Sequence, residues 1–324
     1  MSTHHTVTRI RTVADITVLG DTLAGMAACV RLAKVGHRVT LVRSDPTPRH
    51  DLPEVFTFPA PWRDLFKKSG RILAAELAQA SLELTPVDTR PVAGLDLPAE
   101  RGAQWRRLVD EFGPPVAARW RDLLDALDEV WQVRRPLGLE REFDKVAFRS
   151  ARRELWVGRT VADLATDFDH PVLSEVIRDA AEGEPRHSPA SDAVWLSVER
   201  TFGLWQVTHA DGTPAGSVAL IDALTRRLDA RGVHLVESPP DGADATITAT
   251  GQIPGGLRGP KPWWRRTGSR TGRHRYTCGA HTAAGSTVAG QLLSAALATY
   301  AVHADLTGED IHPTNKDLTV HRRH

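Results

Sequence analysis

Cysteine is nearly missing from these 324 residues, with only Cys29 and Cys278 present. Two cysteines cannot build a disulfide framework, so stability must come from an apolar core, and a reducing cytoplasm suits such a chain. Charge of one sign is missing too. The 41 Lys and Arg offset 40 Asp and Glu to a formal net charge of +1, which leaves no global field to draw the chain to nucleic acid or an anionic membrane. No apolar run approaches the ~18 residues of a membrane span. The first thirteen residues are polar, with His4, His5, Arg9 and Arg11, and lack the apolar centre of a signal peptide. The composition therefore predicts a soluble, cytoplasmic protein without a transmembrane segment. Its length suffices for one large or two modest domains.

The most informative stretch runs from 15 to 43. Ile16, Val18 and Leu19 form the short apolar run of a strand buried on both faces. Gly20 ends it. Leu23, Met26, Ala27, Val30, Leu32 and Ala33 then recur at helical spacing up to Gly36, and 39–42 reads as a second strand. Strand, tight turn, helix and strand in this compass make one crossover unit, whose helix N-terminus offers unpaired N–H groups to a pyrophosphate. The dinucleotide fingerprint Gly-x-Gly-x-x-Gly stands here as Gly20-Asp21-Thr22-Leu23-Ala24-Gly25. Thr22 replaces the glycine that lets the backbone approach the phosphates, and Asp21 adds a carboxylate. The acid that holds the ribose hydroxyls is replaced by Arg43.

Downstream, residues 44–61 carry five prolines and read as a linker. Helical patterning follows over 62–77, 104–112, 115–132, 161–168 and 171–181. The runs 146–148 and 155–157 are ambiguous, and 194–205 mixes β-formers with helical spacing. A second α/β unit comprises a helix over 216–231, strands at 233–236, 245–249 and 276–278, a tight turn at Gly285 and a small-residue helix over 286–304. No internal repeat is evident. The expected fold class is α/β. A Rossmann-like FAD/NAD(P)-binding domain from 1–55 and 210–324 is interleaved with a mainly helical substrate-type domain from 56–209.

Three separated stretches together resemble the FAD-dependent oxidoreductases of the phytoene desaturase, protoporphyrinogen oxidase and amine oxidase superfamily. The first is the opening unit, with Gly25-Met26-Ala27-Ala28, Arg31-Leu32-Ala33, Gly36-His37 and Val39-Thr40-Leu41. The second is Val55-Phe56-Thr57-Phe58-Pro59 through Leu65-Phe66, similar to the segment that leads into the substrate domain of carotenoid desaturases. The third is a late strand, Gly279, a small loop to Gly285, and the helix beyond. Ala243-Asp244-Ala245 through Ala249-Thr250-Gly251 also resembles the strand that returns to the FAD domain. The resemblance implies FAD as cofactor and hydride removal from a mostly apolar substrate. Gly20, Thr22, Leu23, Ala24, Gly25 and Arg43 would surround the pyrophosphate and ribose, and Gly279, Ala280, Gly285 and Ser286 the flavin side. It names no catalytic side chain. The chain departs from the pattern at Thr22 and Arg43, at Ala280 where the family places an acid, and in lacking a glycine-and-arginine loop between Arg43 and Leu52. These departures support a second expectation, a non-catalytic member that has lost FAD and serves as a partner subunit or ligand-binding protein in a homo- or hetero-oligomer. A nicotinamide enzyme with Arg43 on a 2′-phosphate is a third.

Other clusters carry less. His274, Cys278 and His281 are metal-ligand types but straddle a strand and a turn without a fourth ligand, so no metal is expected. Arg258, Lys261, Arg265, Arg266, Arg270, Arg273 and Arg275 surround Trp263 and Trp264, and no acid occurs over 245–304. Arginines with aromatics suit a phosphate or single-stranded nucleic acid, yet a solvated loop has the same composition, and nucleic acid is not favoured. Of nine tryptophans, Trp120, Trp131, Trp195 and Trp205 fall in patterned segments and are expected in the core or against an apolar pocket. Glu199 and Arg200 are expected to form an internal ion pair, the favoured reading, or to be polar groups of a pocket.

Overall fold

The computed structural model describes residues 13–44, 52–92, 94–251 and 261–313. Its centre is a six-stranded sheet in the order β10-β11-β9-β1-β2-β8. β1 (Asp15–Leu19) lies between β2 (Arg38–Val42) and β9 (Ala245–Thr250), pairing in parallel with each, Ile16 opposite Val39 on one side and Ala245 on the other. β8 (His234–Val236) extends the sheet beyond β2, and β11 (Arg275–Gly279) extends it beyond β9, both in parallel. β10 (Arg270–Gly272) closes that edge antiparallel. The chain is thus an α/β protein with a mainly parallel sheet whose strands come from both ends of the sequence.

Helix α1 (Leu23–Lys34) packs against the sheet and against the late helix α11 (Val288–Thr307). Its face is apolar because Ala24, Ala27, Ala28, Val30 and Leu32 recur at helical spacing, and all are buried. Arg31 is buried with them and is held by Asp64 at 2.7 Å from α2 (Ala60–Ser69). The sequence pattern over 62–77 predicts one helix. Instead Gly70 adopts φ +102° and ends α2, and a separate α3 (Leu73–Ala78) follows after Ile72. α10 (Val218–Ala230) completes this core.

Three strands interrupt what reads as a helical region. β4 (Leu82–Val87) joins β3 (Phe56–Thr57) and β7 (Leu204–His209) in a second sheet, order β3-β7-β4, and β5 (Thr89–Val92) pairs with β6 (Leu95–Pro98). The helices α4 (Arg101–Phe112), α5 (Pro114–Arg134), α6 (Lys145–Ser150), α7 (Val161–Phe168), α8 (Leu173–Asp179) and α9 (Val194–Phe202) enclose a second apolar core around Trp120, Leu124, Leu127 and Trp131. The undecided stretch 194–205 is therefore two elements, a helix and a strand separated by Gly203 at φ +73°. The ambiguous run at 146–148 is helical, with Asp144 accepting from Val146 N at 2.7 Å.

Candidate functional site

In an open parallel sheet, ligands sit in the crevice beyond the carboxyl ends of the strands. Gly20, Arg43 and Gly279 all lie there, at the ends of β1, β2 and β11. Gly20 turns the chain at φ +106°, and a side chain on it would come within 2.7 Å of the Ala249 carbonyl oxygen. A Cβ on Gly25 would strike the Gly20 carbonyl oxygen, so the glycine allows α1 to lie directly on the turn. Gly279, at φ +98°, has its N–H on Ser294 Oγ at 2.8 Å, and Ala280, fully buried, donates its N–H to the Thr250 carbonyl at 3.0 Å.

The substituted positions have local work. Thr22 is the N-cap of α1, its hydroxyl accepting from Gly25 N at 3.2 Å. Asp21 accepts from Ser44 N at 2.9 Å and so binds the chain after β2. Arg43 pairs with Glu237 at 3.5 Å, beyond the end of β8. The loop between 45 and 51 lies outside the described residues, as do the tail before Val13, residues 252–260 with Arg258, and 314–324.

The start of α11 repeats the start of α1. Gly285-Ser286-Thr287-Val288-Ala289-Gly290 matches Gly20-Asp21-Thr22-Leu23-Ala24-Gly25 in the form Gly-x-Thr-x-Ala-Gly. The geometry repeats as well: Gly285 has φ +96°, and Thr287 caps the helix by accepting from Gly290 N at 3.1 Å. A Cβ on Gly290 would strike the Ala284 carbonyl oxygen. The expectation of no internal repeat is corrected at this scale of six residues. Thr22, which reads as a missing glycine, is the cap of a helix-starting motif used twice.

The two copies differ in what they face. Thr22, Leu23 and Ala24 are 5 %, 3 % and 0 % exposed. The second copy borders a cavity of about 410 Å³, lined there by Ser286, Thr287, Val288 and Ala289. Phe56, Trp195, Leu196 and Leu204 give the cavity apolar walls, and Asp179, Glu182, Glu199 and Arg90 give it charge. Glu199 pairs with Arg90 at 3.1 Å and not with Arg200, which instead binds Asp125 at 2.8 Å and Asp128 at 2.5 Å. Burial raises the Glu199 carboxyl above its ordinary range, and Arg90 opposes the shift.

Glu182 is the residue that sequence reasoning misses. Its Oε2 accepts from Ser286 N at 3.2 Å, Ser286 Oγ at 3.1 Å and Arg266 Nη1 at 2.9 Å, and both ion-pair partners are only 5 % exposed. Arg266 also reaches the Ala280 carbonyl at 3.4 Å. Beside this pair Arg134 lies 3.6 Å above the Trp263 ring and donates to the Leu137 and Ala283 carbonyls at 2.6 Å each. Desolvation lowers Arg134 to about 10, which leaves it protonated at neutral pH. Burial, with Glu182 close by, raises Asp192 well above the carboxylate range. Trp263, in the basic loop, is 1 % exposed and donates to Ser191 Oγ at 3.0 Å. Trp264 stacks on Phe148. These rings pack into the helical core.

The described residues fit a bound FAD poorly at two points. A dinucleotide at α1 must open the buried turn that Thr22 caps, and a flavin at the Ser286 loop must displace the carboxylate that accepts from Ser286 N and Oγ. Cys278 is fully buried in β11 and burial lifts its thiol to about 12, while His281 N lies on Thr250 Oγ1 at 3.4 Å. No group of three or more His, Cys, Asp or Glu suited to a metal occurs among the described residues. No helix among them is long and apolar enough to cross a membrane.

No protein-family model matches the chain. No curated protein matches it either. Among solved structures it is similar to cyclohexylamine oxidase from Brevibacterium oxydans, at 17% identity and a TM-score of 0.43 over 74% of this chain and 58% of that one. It is similar to a putrescine oxidase variant redesigned in cofactor binding, at 15% identity and a TM-score of 0.42 over 73% of this chain and 58% of that one. A Rab GDI from Plasmodium falciparum is similar at 10% identity and a TM-score of 0.39 over 74% of this chain and 66% of that one. The chain spans about 58% of the length of the two oxidases.

Proposed function

We propose that this chain keeps the architecture of a flavin-dependent oxidoreductase and works as a ligand-binding protein without resident FAD. The carrying observation is Glu182. Its carboxylate, neutralised by buried Arg266, occupies the Ser286 donors ahead of a 20-residue helix. Ser286 directly precedes the Thr287 cap, and the start of a helix is the usual place for an external anion. An internal anion leaves the adjacent cavity to a ligand of different character. Its size falls within the range of small-molecule sites, and its lining joins apolar walls to three carboxylates and one guanidinium. The ligand is small and mostly apolar, with one cationic group directed to Glu199.

The test is binding of a hydrophobic monoamine followed against pH. Affinity rises with pH as the raised Glu199 carboxyl loses its proton, and Glu199→Gln abolishes the rise. A pH-independent affinity equal in both proteins overturns the reading. Stability follows the same group with the opposite sign. The folded protein holds the Glu199 proton more tightly than the unfolded chain does, so this stabilisation is full at acid pH and is lost as pH rises through the raised value.

The FAD-dependent oxidoreductase, removing hydride from a mostly apolar substrate, is the second reading. It is favoured by the Gly20 and Gly25 turn at the centre of a parallel sheet. In that reading this chain's part would be to seat the substrate against Phe56, Trp195 and Leu204. Combining Thr22→Gly, Arg43→Glu and Ala280→Asp raises FAD affinity if the site is only weakened, and leaves it unchanged under the first reading.

A further inference from the structure

A second hollow, of about 380 Å³, lies between α4 and α5, apart from the cavity above. Its floor is apolar: Leu108, Ala117, Trp120 and Leu124 are all buried. The polar atoms beneath are already matched, with Trp120 Nε1 donating to Gln104 Oε1 at 3.0 Å and Gln104 Nε2 to the Pro98 carbonyl at 2.8 Å. A ligand here therefore meets a dry, satisfied floor.

The rim is cationic. Four arginines and one acid line the hollow. That acid, Glu100, caps α4 through Gly102 N and Ala103 N at 2.6 Å each, and these bonds hold its carboxyl below its ordinary range. Two of the arginines are committed: Arg200 to Asp125 and Asp128, and Arg101 to Asp125 at 3.2 Å. The other two are held only at the solvated surface. Arg106 is exposed, helps lower the nearby Glu100 carboxyl, and makes no ion pair within 4.0 Å among the described residues. Arg121 lies 5.3 Å over the Trp105 ring, and its carboxylate partner is the adjacent, solvated Asp122.

An indole face with a guanidinium over it, next to a second exposed guanidinium and above an apolar floor, suits a planar aromatic ring carrying an anionic group. We propose that this hollow binds a nucleoside monophosphate, with its base against Trp105 and Arg121 and its phosphate on Arg106. The volume is of small-ligand size, and the site does not depend on the ligand assigned to the other cavity.

The experiment titrates the full chain calorimetrically with AMP, adenosine and inorganic phosphate in separate arms. AMP binds saturably at one site, and adenosine and phosphate each bind at least about tenfold more weakly, as expected when one charged contact or one stacking surface is lost. Arg106→Ala weakens AMP about tenfold and leaves adenosine unchanged. Trp105→Leu weakens both. Both side chains reach the surface, so each variant is expected to keep the wild-type circular dichroism. Glu199→Gln leaves AMP affinity unchanged, which separates failure here from failure of the other cavity's ligand. Absence of saturable AMP binding up to about millimolar concentration, weak on the scale of cellular ligands, overturns the proposal. So does AMP affinity that survives both variants, or phosphate binding as tightly as AMP.

Discussion

Helices α1 and α11 start with the same six-residue pattern and end in different surroundings. In each, a glycine with positive φ turns the chain, a threonine caps the helix, and a second glycine lets the helix sit on its own turn. At the start of α1 the side-chain hydrogen bonds stay within the opening unit: Asp21 reaches Ser44, and Thr22 reaches Gly25. Around α11 a residue 104 positions away supplies the charge, and that charge is itself buried against Arg266. A shared start therefore says how a helix is launched and does not say what it binds. The neighbour decides that, and at α11 the neighbour is an anion of the protein's own.

The largest expected effect comes from breaking the distant contact. Glu182→Ala leaves Arg266 buried with carbonyl partners but without its carboxylate, and losing one member of a buried pair costs about 3–5 kcal/mol. A denaturant midpoint unchanged by this substitution would mean that the carboxylate is not what holds the Ser286 loop. Next come the second glycines. Gly25→Ala and Gly290→Ala each push a methyl against a backbone carbonyl, and overpacking of this kind costs about 1–3 kcal/mol or more. Equal losses are expected if the copies are structurally equivalent, and a loss at only one would break the comparison. Thr22→Ala and Thr287→Ala remove one cap each, at about 1 kcal/mol, again in equal measure. Arg43→Ala, which breaks an exposed pair with Glu237, is expected to change stability by under about 1 kcal/mol. All four comparisons are read from urea midpoints at constant slope.

The sheet and its glycines were legible because their causes are local. Gly20, Gly25, Gly279 and Gly285 stand where a Cβ meets a nearby carbonyl or carboxylate, and the apolar runs of β1, β2, β9 and β11 leave little choice of element. β4, β5 and β6 were not legible. Pro86 and Pro91 break their patterns, and β4 draws its ladder from β7, more than a hundred residues later. Thr22 was visible as a departure from the dinucleotide fingerprint, and its work as a helix cap was not. Beside Thr287 it is a cap, and only the repetition shows it. Glu182, Arg266 and Arg134 were beyond sequence reading, since their roles depend on a meeting of α5, the chain after α8 and the loop before β11. Trp263 sat among arginines and read as a surface residue, although Arg134 and Ser191 fix it inside.

The visible spectrum of the purified protein, followed by titration with FAD, tests the central claim most directly. A buried Thr22 cap at α1 and a Glu182 carboxylate on the Ser286 loop predict a colourless protein and no binding at about 100 μM FAD, where even a weakened site of ordinary affinity would fill. Stoichiometric flavin bands on purification, or saturation well below that concentration, would contradict it.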